Sequence, residues 1–444
     1  QTGEIFAYAE GYKQFLDAAR TEREAVKEAI RMAEAEGFVP YTFGMELQPG
    51  SKVYVNNRGK ALMLAVLGQQ PLDHGCVIAG AHIDSPRLDL KQTPMYEDSE
   101  LAYFKTHYYG GIKKYQWVTI PLELHGTVAL KDGSTVDIAI GREPDEPQFV
   151  ITDLLPHLGK DQMRKTMEEG ITGEALNIVI GSMPYAGEGR DRVKLAVLSL
   201  LHDEYGITEE DFLSAEIEAV PAGRARDLGL DRSMVIGYGQ DDRVCAFTSL
   251  AAQLALADAA LEKTGMCVLV DKEEIGSVGA TGMASQFFEN TMAEIMELAG
   301  ESGPLPLRRA LAASSMLSSD VSAGFDPAYA SAFEAKNSAF LGRGLVFNKY
   351  TGSRGKSGSN DANAEYVARI RRVMDDAGVS FQTAELGKVD VGGGGTIAYI
   401  PAKYGMDVID SGVAVLSMHS PWEVASKADI YEAFKGYEAF LKNA

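Results

Sequence analysis

Several apolar stretches of this chain end abruptly at acidic or histidine side chains. The run Met266–Val270 is followed directly by Asp-Lys-Glu-Glu-Ile-Gly-Ser at positions 271–277. A short apolar run that stops at charged residues is typical of a buried strand ending at the carboxyl edge of a sheet, where open α/β folds bind ligands. On an extended strand the adjacent carboxylates Glu273 and Glu274 would point in different directions. One could hold a metal ion while the other moves a proton; the alternative is a plain acidic loop between a strand and a helix.

The remaining pattern predicts an α/β fold with alternating strands and helices. Residues 3–36 are predicted to be helical, because apolar residues recur at three-to-four spacing within each half. Lys52–Asn56 and Ala61–Leu67 are predicted to be paired strands, and Gly75–His82 a buried strand. After Met234 the sequence again predicts alternating strands and helices. The predicted strands are Cys267–Val270, Ser314–Ser318 and Val413–Met418. The predicted helices are Ala246–Leu261 and a last helix with an apolar stripe from Ile430 to Leu441.

The pattern of apolar and polar residues changes between about Lys91 and about Arg226. Alternating stretches such as Trp117–His125 and Ser134–Ile140 are separated by Gly-rich and Pro-rich breaks. Such alternation is typical of antiparallel sheet, so we interpret 91–226 as an inserted, β-rich domain. The predicted organisation is therefore a first part at 1–90, the insertion at 91–226, and a second part at 227–444.

Charge and cysteine content exclude several classes of protein. Forty-two basic residues against 63 acidic ones give a formal net charge of −21, which argues against binding nucleic acid or an anionic membrane. The three cysteines, Cys76, Cys245 and Cys267, lie in apolar surroundings and form no disulfide framework. We find no signal peptide and no apolar run long enough to span a membrane. The absence of a disulfide framework fits a reducing cytoplasm best, so we expect a cytoplasmic location.

Histidine and carboxylate residues follow four separate strand-like runs. They are His82 with Asp84, Glu273 with Glu274, Asp320, and His419, and Asp241 adds a fifth position ahead of an apolar helix. Each has a structural alternative: a hydrogen-bonded core histidine for His82, helix caps for Asp84 and Asp241, a turn for Asp320, and stacking on Trp422 for His419. Together they favour a ligand set, because only seven histidines exist and two fall at strand ends with the acids.

This set of residues suits divalent metal ions. Imidazole nitrogen and carboxylate oxygen are ligands for zinc or a similar ion, and no cysteine lies among them. Two histidines and three carboxylates suffice for two ions, which one shared carboxylate would hold about 3.5 to 4 Å apart. Asp241, at a helix N-terminus that favours negative charge, suits this bridging position. In His82-Ile-Asp84 the carboxylate can accept the second imidazole N–H and orient the ring.

Several motifs resemble those of the aspartyl-aminopeptidase-type dinuclear zinc aminopeptidases. They occur in matching order over nearly the whole chain: Tyr12-Lys-Gln-Phe-Leu16, Thr21-Glu-Arg-Glu24, Ala81-His-Ile-Asp-Ser-Pro-Arg87, Asp271-Lys-Glu-Glu-Ile-Gly-Ser277, Ser319-Asp320, Gly392-Gly-Gly-Gly-Thr396 and Ser417-Met-His-Ser420. Taken together these motifs are specific for the family, whereas each motif by itself is weak evidence. The resemblance implies a metallo-aminopeptidase that releases N-terminal amino acids from short peptides, using two ions, zinc first and cobalt or manganese as alternatives.

The resemblance also implies a role for each residue of the set. His82, Asp241 and Asp320 would hold one zinc ion, and Asp241, Glu274 and His419 the other. Glu273 would be the general base, taking a proton from the attacking water and passing it to the leaving amine. Asp84 would orient His82. Gly392–Thr396 would offer backbone groups to the substrate, whereas the competing phosphate-loop interpretation lacks the Gly-Lys-Ser/Thr ending.

The family implies an architecture as well. Its members have a three-layer αβα catalytic domain with a mixed central sheet, interrupted by a β-rich dimerisation domain, and they assemble into tetrahedral dodecamers. By the resemblance the insertion at 91–226 is that dimerisation domain. His157, in Asp153-Leu-Leu-Pro-His-Leu158, resembles a family histidine that reaches a neighbouring active site; an ordinary structural histidine is the alternative.

Three positions depart from the family pattern. Asn348 stands where members selective for acidic N-termini carry lysine, with Lys349 one residue on, which argues against acidic selectivity. Asp242 stands where many members have asparagine, and we expect little effect on metal binding. Asp326 stands where histidine is frequent.

Two other functions remain as alternatives from the sequence. A dinuclear-metal carboxypeptidase or deacylase would use the same ligands on a different bond. A non-catalytic peptide-binding scaffold would retain a degenerate site, although every expected ligand is present here.

Overall fold

The computed structural model describes residues 2–444 of the chain. Among these residues the α-helices are α1 Thr2–Ala18, α2 Glu22–Ala35, α3 Met167–Gly170, α4 Arg192–Tyr205, α5 Gln240–Ala255, α6 Phe287–Leu298, α7 Pro304–Ala313, α8 Ala364–Asp376, α9 Tyr399–Ala402 and α10 Lys427–Asn443. The strands are β1 Val39–Pro40, β2 Lys52–Asn57, β3 Ala61–Val66, β4 Val77–His82, β5 Arg87–Asp98, β6 Leu101–Tyr109, β7 Leu122–Ala129, β8 Thr135–Ile140, β9 Ile178–Gly181, β10 Ala215–Pro221, β11 Arg226–Leu228, β12 Met234–Gly237, β13 Gly265–Val270, β14 Ser315–Ser319, β15 Ser322–Ala323, β16 Leu345–Asn348, β17 Phe381–Thr383, β18 Asp407–Gly412, β19 Ala414–Leu416 and β20 Glu423–Ser426.

The chain divides into two compact units. The first unit contains the residues up to Ser85 together with Ala225–Met418 and Glu423–Ala444. The second unit contains Pro86–Arg224 and the short segment His419–Trp422.

The first unit is built on a nine-stranded sheet with the order β1-β2-β3-β13-β4-β14-β18-β16-β17. Its four central strands, β13, β4, β14 and β18, run parallel to one another. The flanking strands β3 and β16 pair antiparallel with β13 and β18. The sheet is therefore mixed, and the carboxyl ends of its central strands lie at one edge.

Apolar side chains project from both faces of this sheet, and helices pack against each face. On β3, Leu62, Leu64 and Val66 join a core with residues of α1, α2, α5, α8 and α10. The alternate residues Met63 and Ala65 join a second core with residues of α6, α7 and α9. This alternation follows from the two-residue period of a strand. The mixed α/β class predicted from the sequence is confirmed, with helix, sheet and helix layers in this unit.

Two further sheets complete the chain. The first unit has a five-stranded sheet in the order β11-β12-β20-β19-β15. The second unit is built on a six-stranded sheet in the order β8-β7-β10-β5-β6-β9, in which every pairing is antiparallel. No helix within the described residues has both the length and the apolarity that a membrane span needs.

Three details of the sequence prediction were wrong. The helical stretch 3–36 is interrupted between Ala18 and Glu22, where the Thr21 hydroxyl caps α2 by accepting the Glu24 N–H. The strand predicted from Trp117 begins only at Leu122. The apolar run Val413–Met418 contributes only Ala414–Leu416 as a strand, and that strand belongs to the five-stranded sheet. Apolar content alone does not distinguish which sheet a buried strand joins.

Candidate metal centre

Three adjacent central strands bring the candidate ligands to one edge of the sheet. β4 ends at His82, β14 is followed by Asp320, and β13 is followed by the loop that carries Glu273 and Glu274. β13 and β14 both pair in parallel with β4, and Val270 lies directly opposite His82. Because all three strands run in the same direction, their carboxyl ends converge.

The loop after β13 turns sharply before it reaches the glutamates. Lys272 has the left-handed conformation, with φ of 70°, and Glu273–Ile275 form one 3₁₀ turn. Asp271 holds the base of the loop, because its carboxylate accepts the Lys272 N–H at 2.8 Å and the Thr281 hydroxyl at 2.8 Å. The two glutamates therefore lie on a turn beyond β13, and not on the extended backbone from which their different directions were argued.

His82 lies at the centre of a cluster of carboxylates. Its Nε2 is 3.1 Å from Asp241 Oδ1, 3.6 Å from Glu273 Oε2 and 3.6 Å from Asp320 Oδ1. The His82 side chain is 1% exposed and that of Asp241 4%, whereas Glu273 and Asp320 keep 13% and 12%. The cluster is thus buried on one side and open to a small reactant on the other.

Asp84 supports both His82 and the glutamate turn. Its Oδ1 lies 3.1 Å from His82 Nδ1. The same carboxylate accepts the backbone N–H groups of Glu273 at 3.2 Å and Glu274 at 3.1 Å. The contact expected from the His-Ile-Asp spacing is present, although β4 ends at His82 and Asp84 lies beyond it. One buried carboxylate therefore orients the imidazole and places the two glutamates.

Asp241 lies at the irregular start of α5. Gly239 has the left-handed conformation, and Asp241 has φ of −81° and ψ of 106°, outside the helical range. The Ser85 hydroxyl donates to the Asp241 carbonyl at 2.6 Å, and the Asp241 N–H donates to Glu423 Oε1 at 3.2 Å. These contacts hold the carboxylate towards His82, in place of the simple helix cap that was the alternative.

Two residues of this region were not assigned a role from the sequence. Asp242 is fully buried, and its Oδ2 accepts the His82 backbone N–H at 3.3 Å. Glu423 is buried at the start of β20 and accepts the Asp241 N–H. A buried acidic residue at the start of a short strand gives no clear local signal, so the sequence did not single out Glu423.

The carboxylates of the cluster raise one another's proton affinity. Burial raises the pKa of Glu273 to about 8, and the charges of Asp320 and Asp241 act in the same direction, against the opposing effect of His82. Burial and the Asp320 charge raise the pKa of Asp242 well above its usual range. Burial lowers the pKa of His82, but Asp320 and Glu273 outweigh it and the pKa lies well above its ordinary value. A bound cation would relieve this repulsion and lower the carboxylate pKa values again.

The donor atoms fit a divalent metal ion. In each of three sets the donor atoms lie within 4.8 Å of one another: His82, Glu273 and Asp320; His82, Asp241 and Glu274; and Asp241, Asp242 and Asp320. Imidazole nitrogen with carboxylate oxygen is the chemistry of zinc and similar ions. The residues present therefore fit a centre for such ions.

The other two predicted histidines belong to the second unit. His419 has φ of 66°, and its Nδ1 lies 2.8 Å from the Gly111 carbonyl oxygen. His157 is exposed in a turn after β8. Among residues 2–444 neither is part of a donor set of the kind described above. Their roles stay predictions from the resemblance.

Replacing Asp84 by asparagine tests its orienting role. We expect Asp84→Asn to weaken metal affinity about 10- to 100-fold, the range for residues that orient a ligand. The physical reason is that an amide accepts the glutamate N–H groups and the imidazole N–H less strongly than a carboxylate does. Metal titration measured by calorimetry checks this. Unchanged affinity would show that the ring is held by the Asp84 backbone carbonyl, 3.0 Å from Nδ1.

Comparisons with known proteins identify what this chain is similar to. The family model described as aminopeptidase I zinc metalloprotease (M18) matches residues 15–441. A Clostridium acetobutylicum protein named probable M18 family aminopeptidase 1 is 57% identical over 448 residues, covering 100% of this chain and 96% of the relative.

Solved structures agree with this similarity. The crystal structure of an M18 family aminopeptidase from Thermotoga maritima has a TM-score of 0.96 at 45% identity, covering 100% of this chain and 98% of that chain. The structure of the yeast mApe1 dodecamer has a TM-score of 0.80 at 18% identity, covering 98% and 96%, and shows the same fold. With a family model spanning nearly its full length and relatives this similar, the chain belongs to the M18 aminopeptidase family of zinc metalloproteases, hydrolases that act on peptides.

Proposed function

We propose that this chain releases the N-terminal residue of short peptides with two divalent metal ions, zinc in the first place and cobalt or manganese as alternatives. The observation that carries the proposal is the cluster around His82 Nε2, with three carboxylate oxygens within 3.6 Å. Two further carboxylates belong to this cluster. Asp84 contacts Nδ1 of the His82 ring, and Glu274 lies close to Asp241.

The assignment of ligands follows the resemblance. His82, Asp241 and Asp320 would hold one ion, and Asp241 and Glu274 would contribute to the other, for which the resemblance adds His419. The ions, when bound, supply Lewis acidity that polarises the scissile carbonyl and makes a water a better nucleophile. The proximity of the Asp241 carboxylate to Asp242, Asp320, His82 and Glu274 in the donor sets supports its shared position.

Glu273 is the general base of the proposal. Its carboxylate takes the proton of the attacking water and then gives it to the amine that leaves. Two features support this role. Glu273 keeps 13% of its side chain exposed at the open side of the cluster, and its backbone N–H is held by Asp84. Glu274, on the same turn, faces Asp241 and is therefore left for metal binding.

The proposed selectivity for the N-terminal residue rests on Asn348, which by the resemblance stands where members selective for acidic N-termini carry lysine. Its side chain is buried and donates to the Ala384 carbonyl at 2.8 Å, and the next residue, Lys349, pairs with Asp361. Asn348 brings no positive charge, and Lys349 pairs with Asp361, a carboxylate that it shares with Lys356. We therefore infer that neutral N-terminal residues are accepted at least as well as acidic ones.

Assembly into a homo-oligomer, a dodecamer by the resemblance, is part of the proposal, as is a cytoplasmic location. The second unit supports assembly because it exposes large apolar side chains: Leu158 at 69%, Met163 at 67%, Met167 at 66% and Met183 at 74%. Exposed apolar side chains in such number are typical of an interaction surface. His157 adjoins Leu158, and its action in a neighbouring active site is included in the proposal.

The decisive experiment is an assay of end specificity. A panel of dipeptides and aminoacyl reporter substrates is offered to protein loaded with zinc, manganese or cobalt. An aminopeptidase should not cleave N-acetylated peptides and should cleave C-terminally amidated ones. The reverse pattern would support the carboxypeptidase alternative, and no turnover with any metal would support the scaffold alternative.

Metal binding is also expected to stabilise the fold. At free zinc one hundred times the Kd, linkage contributes about 2.7 kcal/mol. With an unfolding entropy of about 2.1 cal/mol/K per residue, this raises the Tm of a chain of this length by about 3 °C. Differential scanning calorimetry with chelator and with added zinc measures the shift. We expect the zinc-induced rise in Tm to be lost in the His82→Gln variant. A rise of equal size in that variant would show that zinc binds at a site without His82.

A further inference from the structure

A small cavity in the first unit is lined by three cationic side chains. It measures about 110 Å³ and lies between a basic turn, residues 350–356, and a glycine strap, residues 385–393. Arg354, Lys356 and Lys388 line it, against a single carboxylate, that of Glu385. In a chain with a net charge of −21, a local excess of positive charge favours an anionic ligand.

The basic turn holds its cations in an uncommon backbone conformation. Arg354 and Lys356 have φ of 51° and 64°, in the left-handed region that glycine adopts without strain. The backbones of Ser353 and Ser357 pair across the turn, with N···O distances of 3.0 and 3.3 Å. Cationic side chains are therefore present at two positions where glycine would cause less backbone strain.

Glycines fix the strap against the turn. A Cβ atom on Gly393 would lie 2.4 Å from the Gly352 carbonyl oxygen, and one on Gly392 would lie 2.0 Å from the Leu386 oxygen. A Cβ on Gly352 would lie 2.6 Å from the Ser357 oxygen. Of these contacts, only the one between Gly393 and Gly352 joins the two segments, and a side chain at Gly393 would push them apart. The contacts of Gly392 and Gly352 keep the strap and the turn each tightly folded.

Lys356 is already oriented. Its Nζ lies 3.8 Å from the centroid of the Tyr350 ring and 3.1 Å from Asp361 Oδ2. The Tyr350 hydroxyl donates to Glu385 Oε1 at 2.5 Å. These contacts hold Lys356, Tyr350 and Glu385 in place before a ligand arrives, which lowers the entropic cost of binding. Arg354, Lys356 and Lys388 are all exposed, so their charged ends can reach a ligand from solvent.

We propose that this cavity binds a small oxyanion, a carboxylate or a phosphate, through Arg354, Lys356 and Lys388. Guanidinium and ammonium groups form charge-assisted hydrogen bonds to both kinds of anion. Leu386 and Val389 also line the cavity, so the apolar part of a peptide that carries the carboxylate has a surface to contact. None of the lining residues belongs to the metal cluster, but Gly392 and Gly393 are part of the segment that the resemblance assigns to substrate binding. The site therefore deepens the proposed function, and its peptide form rests on that function.

The test measures binding directly on the metal-loaded protein. Three probes are titrated by calorimetry at constant ionic strength: inorganic phosphate, an N-acetylated alanine dipeptide with a free carboxylate, and its C-terminal amide. N-acetylation keeps the peptide from being consumed by an aminopeptidase. The double variant Arg354→Gln with Lys388→Gln is compared with the wild type. The matched control is Arg343→Gln with Lys403→Gln, which removes the same charge at exposed cations that do not line the cavity.

We expect at least one oxyanion probe to bind about ten-fold or more weakly to the Arg354 and Lys388 variant, with the control unchanged. Loss of carboxylate binding, with the amide not binding, identifies a peptide carboxylate as the source. Loss of phosphate binding alone identifies a free anion. The proposal is overturned if neither oxyanion binds the wild type, or if the two double variants bind both probes equally. Neither result depends on turnover, so failure here is distinguishable from failure of the proposed hydrolysis.

Discussion

Glu273→Gln is expected to lower kcat about 10²- to 10⁴-fold, the usual contribution of a general base, while the protein keeps its metal ions. Glutamine has the shape of the glutamate side chain but cannot accept the proton of the attacking water. The backbone N–H of residue 273 can still donate to Asp84, so the turn should stay in place. Steady-state kinetics with an aminoacyl reporter, together with elemental analysis of the purified variant, measures both quantities.

The control for this substitution is Glu188→Gln, at an exposed position of the second unit. It removes one negative charge and should leave kcat unchanged. If Glu273→Gln retained its metals, remained folded and turned over at the wild-type rate, the general-base assignment would be wrong, and another carboxylate would have to move the proton.

Asp241→Asn is expected to remove metal ions and activity together. Asp241 occurs in two of the three donor sets and is the shared ligand of the proposal, so its loss should weaken both positions. An amide is a poorer ligand than a carboxylate and brings no negative charge to offset the cations. We expect the loss of metal affinity to exceed the roughly 10- to 100-fold caused by residues that only orient a ligand. Elemental analysis after dialysis, followed by activity at saturating zinc, checks the result.

The adjacent residue supplies a matched control. Asp242→Asn changes the same chemical group one position on, and its side-chain carbonyl can still accept the His82 N–H that Asp242 Oδ2 accepts now. We therefore expect metal content and kcat close to those of the wild type. Equal losses in the two variants would mean that Asp242 is itself a ligand and that the assignment of Asp241 as the shared carboxylate must be revised.

The sequence predicted the strand ends of the central sheet well. His82, Asp320 and the glutamate pair all follow buried runs without charged residues, and in the structure these runs are β4, β14 and β13, adjacent and parallel. A buried strand on an α/β sheet is apolar on both faces, so its end is visible as the first charged residue. The same rule marked the candidate ligands without any knowledge of which strand lies beside which.

Prediction was weaker where the same local pattern fits two structures. Val413–Met418 is as apolar as the central strands, but only Ala414–Leu416 is extended, and it joins the five-stranded sheet. His419 consequently does not follow a strand of the central sheet. The turn at Lys272, which separates Glu273 from the end of β13, was also missed, because lysine gives little local indication of a left-handed conformation.

By itself the sequence determined the α/β class, the family, and the residue types gathered for metal chemistry, because strand periodicity and ligand chemistry are local properties. Only the tertiary structure decided that Asp84 holds both the imidazole and the two glutamate N–H groups, and that Glu423 and Ser85 hold Asp241. The oxyanion cavity likewise depends on two segments that are about thirty residues apart in sequence and packed through glycine backbones. Contacts between distant segments depend on sheet order and on close backbone packing, which residue periodicity does not encode.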